Sequence, residues 1–123
     1  MSLETLKEII FMESILTSIK KFLGIDAEYE HFDTDIIMHI NSVFADLWQL
    51  GIGPHEGFEI EDDTTSWEDF LEGSKKFNSV KSYMEIRVKL LFDPPTSAAA
   101  MEALQRQADK WEWRLNAAAE TNI

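Results

Sequence analysis

A chain of 123 residues with 45% hydrophobic and 28% charged residues has the composition of one soluble globular domain. It contains no cysteine, which excludes disulfides, thiolate nucleophiles and zinc–thiolate sites. The formal net charge of −12 argues against a free-standing nucleic-acid-binding protein, because phosphate contacts need clustered Lys and Arg. With no run of 18 apolar residues and no secretory leader, the sequence predicts neither a membrane span nor export.

The first predicted helix runs from Met12 to Leu23, where apolar residues recur at intervals of three and four. Gly24 ends this helix. Lys20 and Lys21 stand in its last turn, where positive charge suits the negative end of the helix dipole.

The strongest helical pattern in the chain follows and ends at Gly51. Asp33 or Thr34 is predicted to cap this second helix, and Asp35 and His39 are predicted to form a surface pair one turn apart. The predicted core stripe of the helix consists of Phe32, Ile36, Ile40, Val43, Leu47 and Leu50.

The segment HFDTDIIMHI at the start of this helix places two histidines and two aspartates within nine positions, a density typical of metal sites. Asp35 and His39 supply at most two ligands, whereas a zinc site needs three or four, and His31 and Asp33 point elsewhere. The segment is therefore interpreted as the acid-rich start of a core helix, and a metal-dependent enzyme or sensor is the alternative. Because the chain has no G-x-S-x-G, H-E-x-x-H or phosphate-binding glycine loop, we predict no catalytic activity and no cofactor.

A long ordered loop is predicted from Gly51 to Ser66, because three glycines and a proline interrupt the helical period there. Only the segment 58–60 alternates as an extended segment would. Thr65 or Ser66 is predicted to cap a short helix that stops at Gly73.

The stretch 56–72 concentrates negative charge, with eight acidic side chains and no Lys or Arg in 17 residues. These acids are Glu56, Glu59, Glu61, Asp62, Asp63, Glu68, Asp69 and Glu72. Such a concentration is typical of a solvated loop or of a surface that meets a partner.

A third long helix is predicted from Val80 to Phe92, and the segment DPP breaks it because proline lacks an N–H and restricts the residue before it. Thr96 or Ser97 caps the last helix. The predicted core positions of the last helix are Met101, Leu104, Ala108, Trp111, Leu115 and Ala118. These four main amphipathic helices, without a secure strand, predict a small all-α bundle that forms one domain over residues 1–123.

Trp113 lies roughly opposite that core stripe, on the face that carries Arg106, Asp109 and Lys110. It is predicted either to rest under the acidic loop or to belong to a protein interface, where aromatic and Arg side chains are enriched. Glu102 and Arg106 are spaced for a surface ion pair.

The predicted helices contain the segments ILTSIKKFLGI, HFDTDIIMHINSVFADLWQLGIGP, GFEIEDDTTSWEDF, VKSYMEIRVKLLFDPPTS and AAMEALQRQADKWEWRLN. With these segments the chain resembles, from Met12 to Asn116, the head–tail connector (adaptor, head-completion) proteins of long-tailed phages and prophages of Gram-positive bacteria. The most specific segments are FDTDIIMHINSVF, GIGP and LLFDPPTS. Residues 1–11 have no counterpart in this pattern and are expected to be an extension or a vector-derived segment.

The resemblance implies a small α-helical structural protein of the virion neck, the head–tail junction, assembled in the cytoplasm of the bacterial host. Such proteins form a ring beneath the portal of a filled capsid, with about twelve copies expected. The ring extends the DNA channel and offers a docking platform. The implied partners are the portal protein, the stopper (head-closure) or tail-completion protein, further copies of the chain, and DNA that passes without sequence-specific binding; no membrane contact is implied.

In this family the C-terminal helix or tail commonly docks toward the portal, so the resemblance assigns a portal or subunit interface to Arg106, Lys110, Trp113 and Arg114. The acids of residues 56–72 would keep DNA from adhering if they line the channel. A second interpretation, of a different class, is an acidic helical decoy that mimics the phosphates of DNA and binds a host DNA-binding protein.

Overall fold

The computed structural model describes Ser2 and residues 13–120. These residues contain five α-helices and one short 3-10 helix. In chain order the helices are α1 (Ile15–Phe22), α2 (Asp33–Gln49), α3 (Trp67–Leu71), α4 (Val80–Phe92) and α5 (Ala98–Glu120), with the 3-10 helix Lys75–Phe77 before α4. Within these residues an isolated bridge between Ser14 and Ser66 is the only β-type pairing. The predicted all-α bundle is confirmed. Met12, where the first helix is predicted to begin, and residues 1–11 apart from Ser2 lie outside the described residues.

Two of the later helices begin at the predicted caps. The Ser66 hydroxyl accepts a hydrogen bond from the Asp69 N–H, and the Asp69 carboxylate accepts one from the Ser66 N–H, which is a complete capping box for α3. At the start of α5 the Ser97 hydroxyl accepts from the Ala100 N–H at 3.1 Å. Local sequence therefore sets both helix starts.

The start of α2 differs from the prediction, because neither Asp33 nor Thr34 caps it. The helix begins at Asp33, and Phe32 precedes it without a capping side chain. The Asp33 carboxylate lies 2.8 Å from the ammonium of Lys20, which is only 2% exposed and also donates to the Ala27 carbonyl at 3.0 Å. A buried ammonium needs such a partner, so the carboxylate ties the end of α1 to the start of α2.

The core lies between α1, α2 and α4, and the loop that follows α2 covers one side of it. The predicted stripe of α2 is confirmed at its centre. The buried side chains of α2 are Ile36, Ile40, Val43, Phe44 and Leu47, and the loop adds Ile52 and Ile60. Side chains of this loop thus form part of the hydrophobic core.

The prediction for α5 is only partly right, because this helix of 23 residues has just two buried side chains, Ala108 and Leu115. Leu104 and Trp111 are half-buried, and Met101 is exposed. α5 packs mainly against α4. A helix with one principal neighbour buries a narrow line of side chains and leaves its other faces to solvent.

Candidate interaction surfaces

The outer face of α5 carries a group of basic and aromatic side chains, here named the α5 stripe: Arg106, Lys110, Trp113 and Arg114. Their spacing keeps them on one face, opposite the buried Ala108 and Leu115. All four are exposed, and Trp113 is 71% exposed. A side chain with this exposure does not rest under the acidic loop, so that alternative is wrong; the interface alternative stays a prediction.

The positive charges of the α5 stripe are not engaged in ion pairs within the described part of the chain. The predicted pair between Glu102 and Arg106 is wrong, since the ion pairs of the described residues involve other bases: Lys20, Lys81, Arg87 and Lys89. The Arg114 guanidinium lies 5.1 Å from the centre of the half-buried Trp111 ring, a cation–π contact within α5. Arg106 and Lys110 are therefore available to carboxylates of another molecule.

The eight acidic side chains of residues 56–72, here named the acidic surface, are all exposed. Asp62 accepts hydrogen bonds from the hydroxyl and the backbone N–H of Thr64, and these bonds lower the pKa of Asp62 below its ordinary value. Asp69 takes part in the α3 capping box. Of the remaining acids, Glu68 lies in α3 and Glu72 at its end, and the others project from the loop.

Side chains of α2 hold the loop beneath the acidic surface. The Asn41 amide donates to the Ile60 carbonyl at 3.0 Å and its oxygen accepts from the Ile60 N–H at 2.8 Å, so both backbone groups of Ile60 are satisfied. The Phe58 ring packs against Phe44 and Phe70 with centroid separations of 4.9 and 5.1 Å. The predicted ordered loop is confirmed, and its extended segment pairs with a side chain instead of a strand.

A cleft of about 390 Å³, here named the loop cleft, opens between α2 and this loop. Its lining comprises Asn41, Phe44, Ala45, Trp48, Glu56, Gly57, Phe58 and Glu59. The Trp48 ring is 51% exposed, and its N–H donates to the His55 carbonyl at 2.9 Å, which fixes the ring beside the cleft. Aromatic faces together with two carboxylates suit a cationic side chain.

A half-buried polar network joins α2, α4 and α5. The Arg87 guanidinium contacts the Asp46 carboxylate at 2.6 Å and donates to the Tyr83 hydroxyl, which donates to the Glu112 carboxylate at 3.1 Å. Burial raises the pKa of Tyr83 to about 12, so the phenol stays protonated as a donor. This network fixes how α5 is rotated on α4, and hence where the α5 stripe points.

Neither the network nor the Asn41 contacts follow from the periodicity of the sequence. Asp46 and Asn41 stand on the flanks of α2, beside its apolar stripe. Their position at the edge of a core stripe indicates a polar contact there. Periodicity does not identify the partner, which is 41 residues away for Asp46 and 19 residues away for Asn41. Tertiary packing decides which distant group it meets.

Among the described residues, the histidine-rich start of α2 takes part in no metal-binding group. The predicted pair of Asp35 and His39 is wrong within the described residues, and the His39 ring lies 6.3 Å from that of Phe92, centre to centre. No cluster of three or more His, Asp or Glu side chains in the described part of the chain is arranged to hold a metal ion. Of the helices described, none is both long and apolar enough to cross a membrane.

An all-α bundle with two exposed charged surfaces is typical of a protein that functions by binding other macromolecules. The family model of phage connector proteins matches residues 15–122, and the chain belongs to this family. It is thus a structural connector of a phage particle, with its place at the neck, where it meets head or tail components. No curated protein and no solved structure matches the chain significantly.

Proposed function

We propose that this connector assembles as a ring beneath the portal of the filled capsid, extends the DNA channel, and presents a docking platform to the stopper or tail-completion protein. Membership of the connector family supports a place next to the portal. Copies that associate head to tail form a closed ring when the rotation between them closes, and a portal of cyclic symmetry favours that closure.

The exposure of α5 is the observation that carries this proposal. The helix is 23 residues long, yet its buried side chains are Ala108 and Leu115 only. Its outer face instead presents a largely exposed Trp and three bases without an ion pair among the described residues. Trp and Arg are enriched in interfaces. The α5 stripe is therefore the proposed portal or subunit contact.

The acidic surface is proposed to line the channel or to face a partner. Carboxylates repel the phosphates of passing DNA and so limit adhesion. Reversal of Glu61 and Asp63 to Lys is expected to slow DNA ejection from assembled particles, and reversal of the exposed acids Glu28 and Glu30 is the matched control. Equal ejection by both variants and the unchanged protein would contradict the channel assignment.

The test of the proposed function is co-sedimentation of the purified protein with portal rings from the same phage genome, at low and moderate salt. Saturable binding near one copy per portal subunit is expected. Lys21→Glu, which reverses an exposed base outside α5, is expected to bind as the unchanged protein does. Absence of binding by protein with an intact helical circular dichroism spectrum would overturn the proposal and make basic host proteins the next candidates.

A further inference from the structure

The loop cleft and the α5 stripe lie on opposite sides of the bundle. On α2, Phe44 and Trp48 face the loop cleft, whereas Asp46 points the other way and meets Arg87 of α4. α4 in turn packs against α5, and the α5 stripe faces away from α4. The order across the molecule is therefore loop cleft, α2, α4, α5 and α5 stripe, so a single chain does not bring the two surfaces together.

We propose that the α5 stripe of one copy docks in the loop cleft of the next copy, with Arg106 and Lys110 opposite Glu56 and Glu59. This inference rests on the proposed ring, and it names the partner of the α5 stripe. Contact between two different surfaces on opposite sides of a chain is heterologous, which is the type of contact that generates rings.

Charge complementarity is the first support for this pairing. A chain of net charge −12 repels a second copy of itself unless the contact brings bases to acids. Three of its 11 Lys and Arg residues are grouped on the α5 stripe, and they are exposed. On the opposite side, Glu56 and Glu59 are exposed carboxylates that line the loop cleft.

The aromatic side chains give the second support. The loop cleft has Trp48 and Phe58 beside its two carboxylates, and its volume of about 390 Å³ admits long side chains. Arg106 and Lys110 carry both a cationic group and an apolar stem, which suit the carboxylates and the aromatic faces together. Trp113, on the same face of α5, would cover the apolar rim.

Reciprocal charge reversal on portal rings tests the pairing. The first variant carries Glu56→Lys and Glu59→Lys, the second carries Arg106→Glu and Lys110→Glu, and the third carries all four changes. Each double variant is expected to raise the concentration for half-saturation of portal rings by about tenfold or more, because like charges then meet at every contact. The quadruple variant, with the original net charge, is expected to restore saturation.

A second quadruple variant controls for net charge. It combines Arg106→Glu and Lys110→Glu with Glu28→Lys and Glu30→Lys, exposed acids outside the loop cleft. This variant is expected not to restore saturation, because its new bases stand in the wrong place. Restoration by both quadruple variants would overturn the pairing and leave net charge as the cause.

The outcomes separate this inference from the proposed function. If the unchanged protein does not bind portal rings, both the proposed function and this inference are overturned. If the unchanged protein saturates the rings while the Glu56 and Glu59 variant binds equally well, only the pairing is overturned. Loss of binding confined to the Arg106 and Lys110 variant, without rescue in the quadruple variant, would assign the α5 stripe to the portal and also overturn the pairing.

Discussion

The loop-covered side of α2 and the outer side of α5 are both exposed and charged, but they are built in opposite ways. Beneath the acidic surface, Phe44 contacts the rings of Phe58 and Phe70 with centroid separations of 4.9 and 4.8 Å, and Trp67 is buried beside them. The α5 stripe has no comparable layer behind it, because Ala108 and Leu115 are the only buried side chains of its helix. The charged loop thus rests on a packed aromatic layer, whereas most side chains of α5 are exposed to solvent.

The largest effect is expected from removal of that aromatic base. Phe44→Ala should lower the free energy of unfolding by about 3–5 kcal/mol, because Phe44 is 1% exposed and its loss leaves a cavity between Phe58 and Phe70. Urea unfolding followed by circular dichroism measures the change. A loss below about 1 kcal/mol would mean that the loop is not packed as described.

A smaller effect is expected at the contact that fixes the loop. Asn41→Ala should lower the free energy of unfolding by about 1–3 kcal/mol, because both backbone groups of Ile60 lose their partner. Hydrogen exchange at the Ile60 amide should accelerate by more than the global loss explains. Ser42→Ala, on the adjacent exposed position, is the control and should change neither quantity appreciably.

Trp113→Ala should change the free energy of unfolding by less than about 0.5 kcal/mol, since a side chain that is 71% exposed contributes little packing. The contrast with Phe44→Ala is the sharpest form of the comparison between the two regions. A large loss of stability or of helical signal in the Trp113 variant would show that α5 depends on this ring for folding.

The smallest effects concern pH and have opposite signs in the bundle and on the acidic surface. Burial raises the pKa of Glu85 in α4, an effect that Lys81 opposes and Glu13 reinforces, so the stability from this group is present at low pH and is lost as pH rises through the folded-state pKa. Hydrogen bonds from Thr64 lower the pKa of Asp62, so the stability from this group is present at neutral pH and is lost on acidification.

Replacing each of these two carboxylates by its amide tests the signs. The free energy of unfolding is measured between pH 3 and pH 7, roughly the range in which carboxylates titrate. Glu85→Gln should raise the free energy of unfolding at neutral pH relative to low pH. Asp62→Asn should lower it at neutral pH and have no effect at low pH. Identical pH dependence of both variants would refute the assigned signs.

Periodicity predicted those parts of the fold that depend on a single helix. Ile36, Ile40 and Leu47 follow the helical repeat and are buried as expected, and Ser66 caps α3 because its partner is three residues away. α5 also follows the repeat, yet Met101 is exposed. The repeat indicates which face turns inward but not how many neighbours that face meets.

The contacts that position the two surfaces depend on residues distant in sequence. Asp33 pairs with Lys20 and not with its own helix end, because the buried ammonium requires a carboxylate. Asn41 and Ile60 meet only after the loop has folded back on α2. The composition of both charged surfaces could therefore be predicted from the sequence, whereas the positions of the loop cleft and the α5 stripe on opposite sides of the bundle could not.

The most direct test of the central claim, that α5 serves assembly more than folding, is the saturation of portal rings by Trp113→Ala protein, with unfolding measured on the same preparation. The expected result is about a tenfold or greater rise in the concentration for half-saturation, with the free energy of unfolding within about 0.5 kcal/mol of the original. Met38→Ala, which removes an exposed apolar side chain of α2, is the control and should bind normally. Unaltered saturation by the folded Trp113 variant would contradict the account.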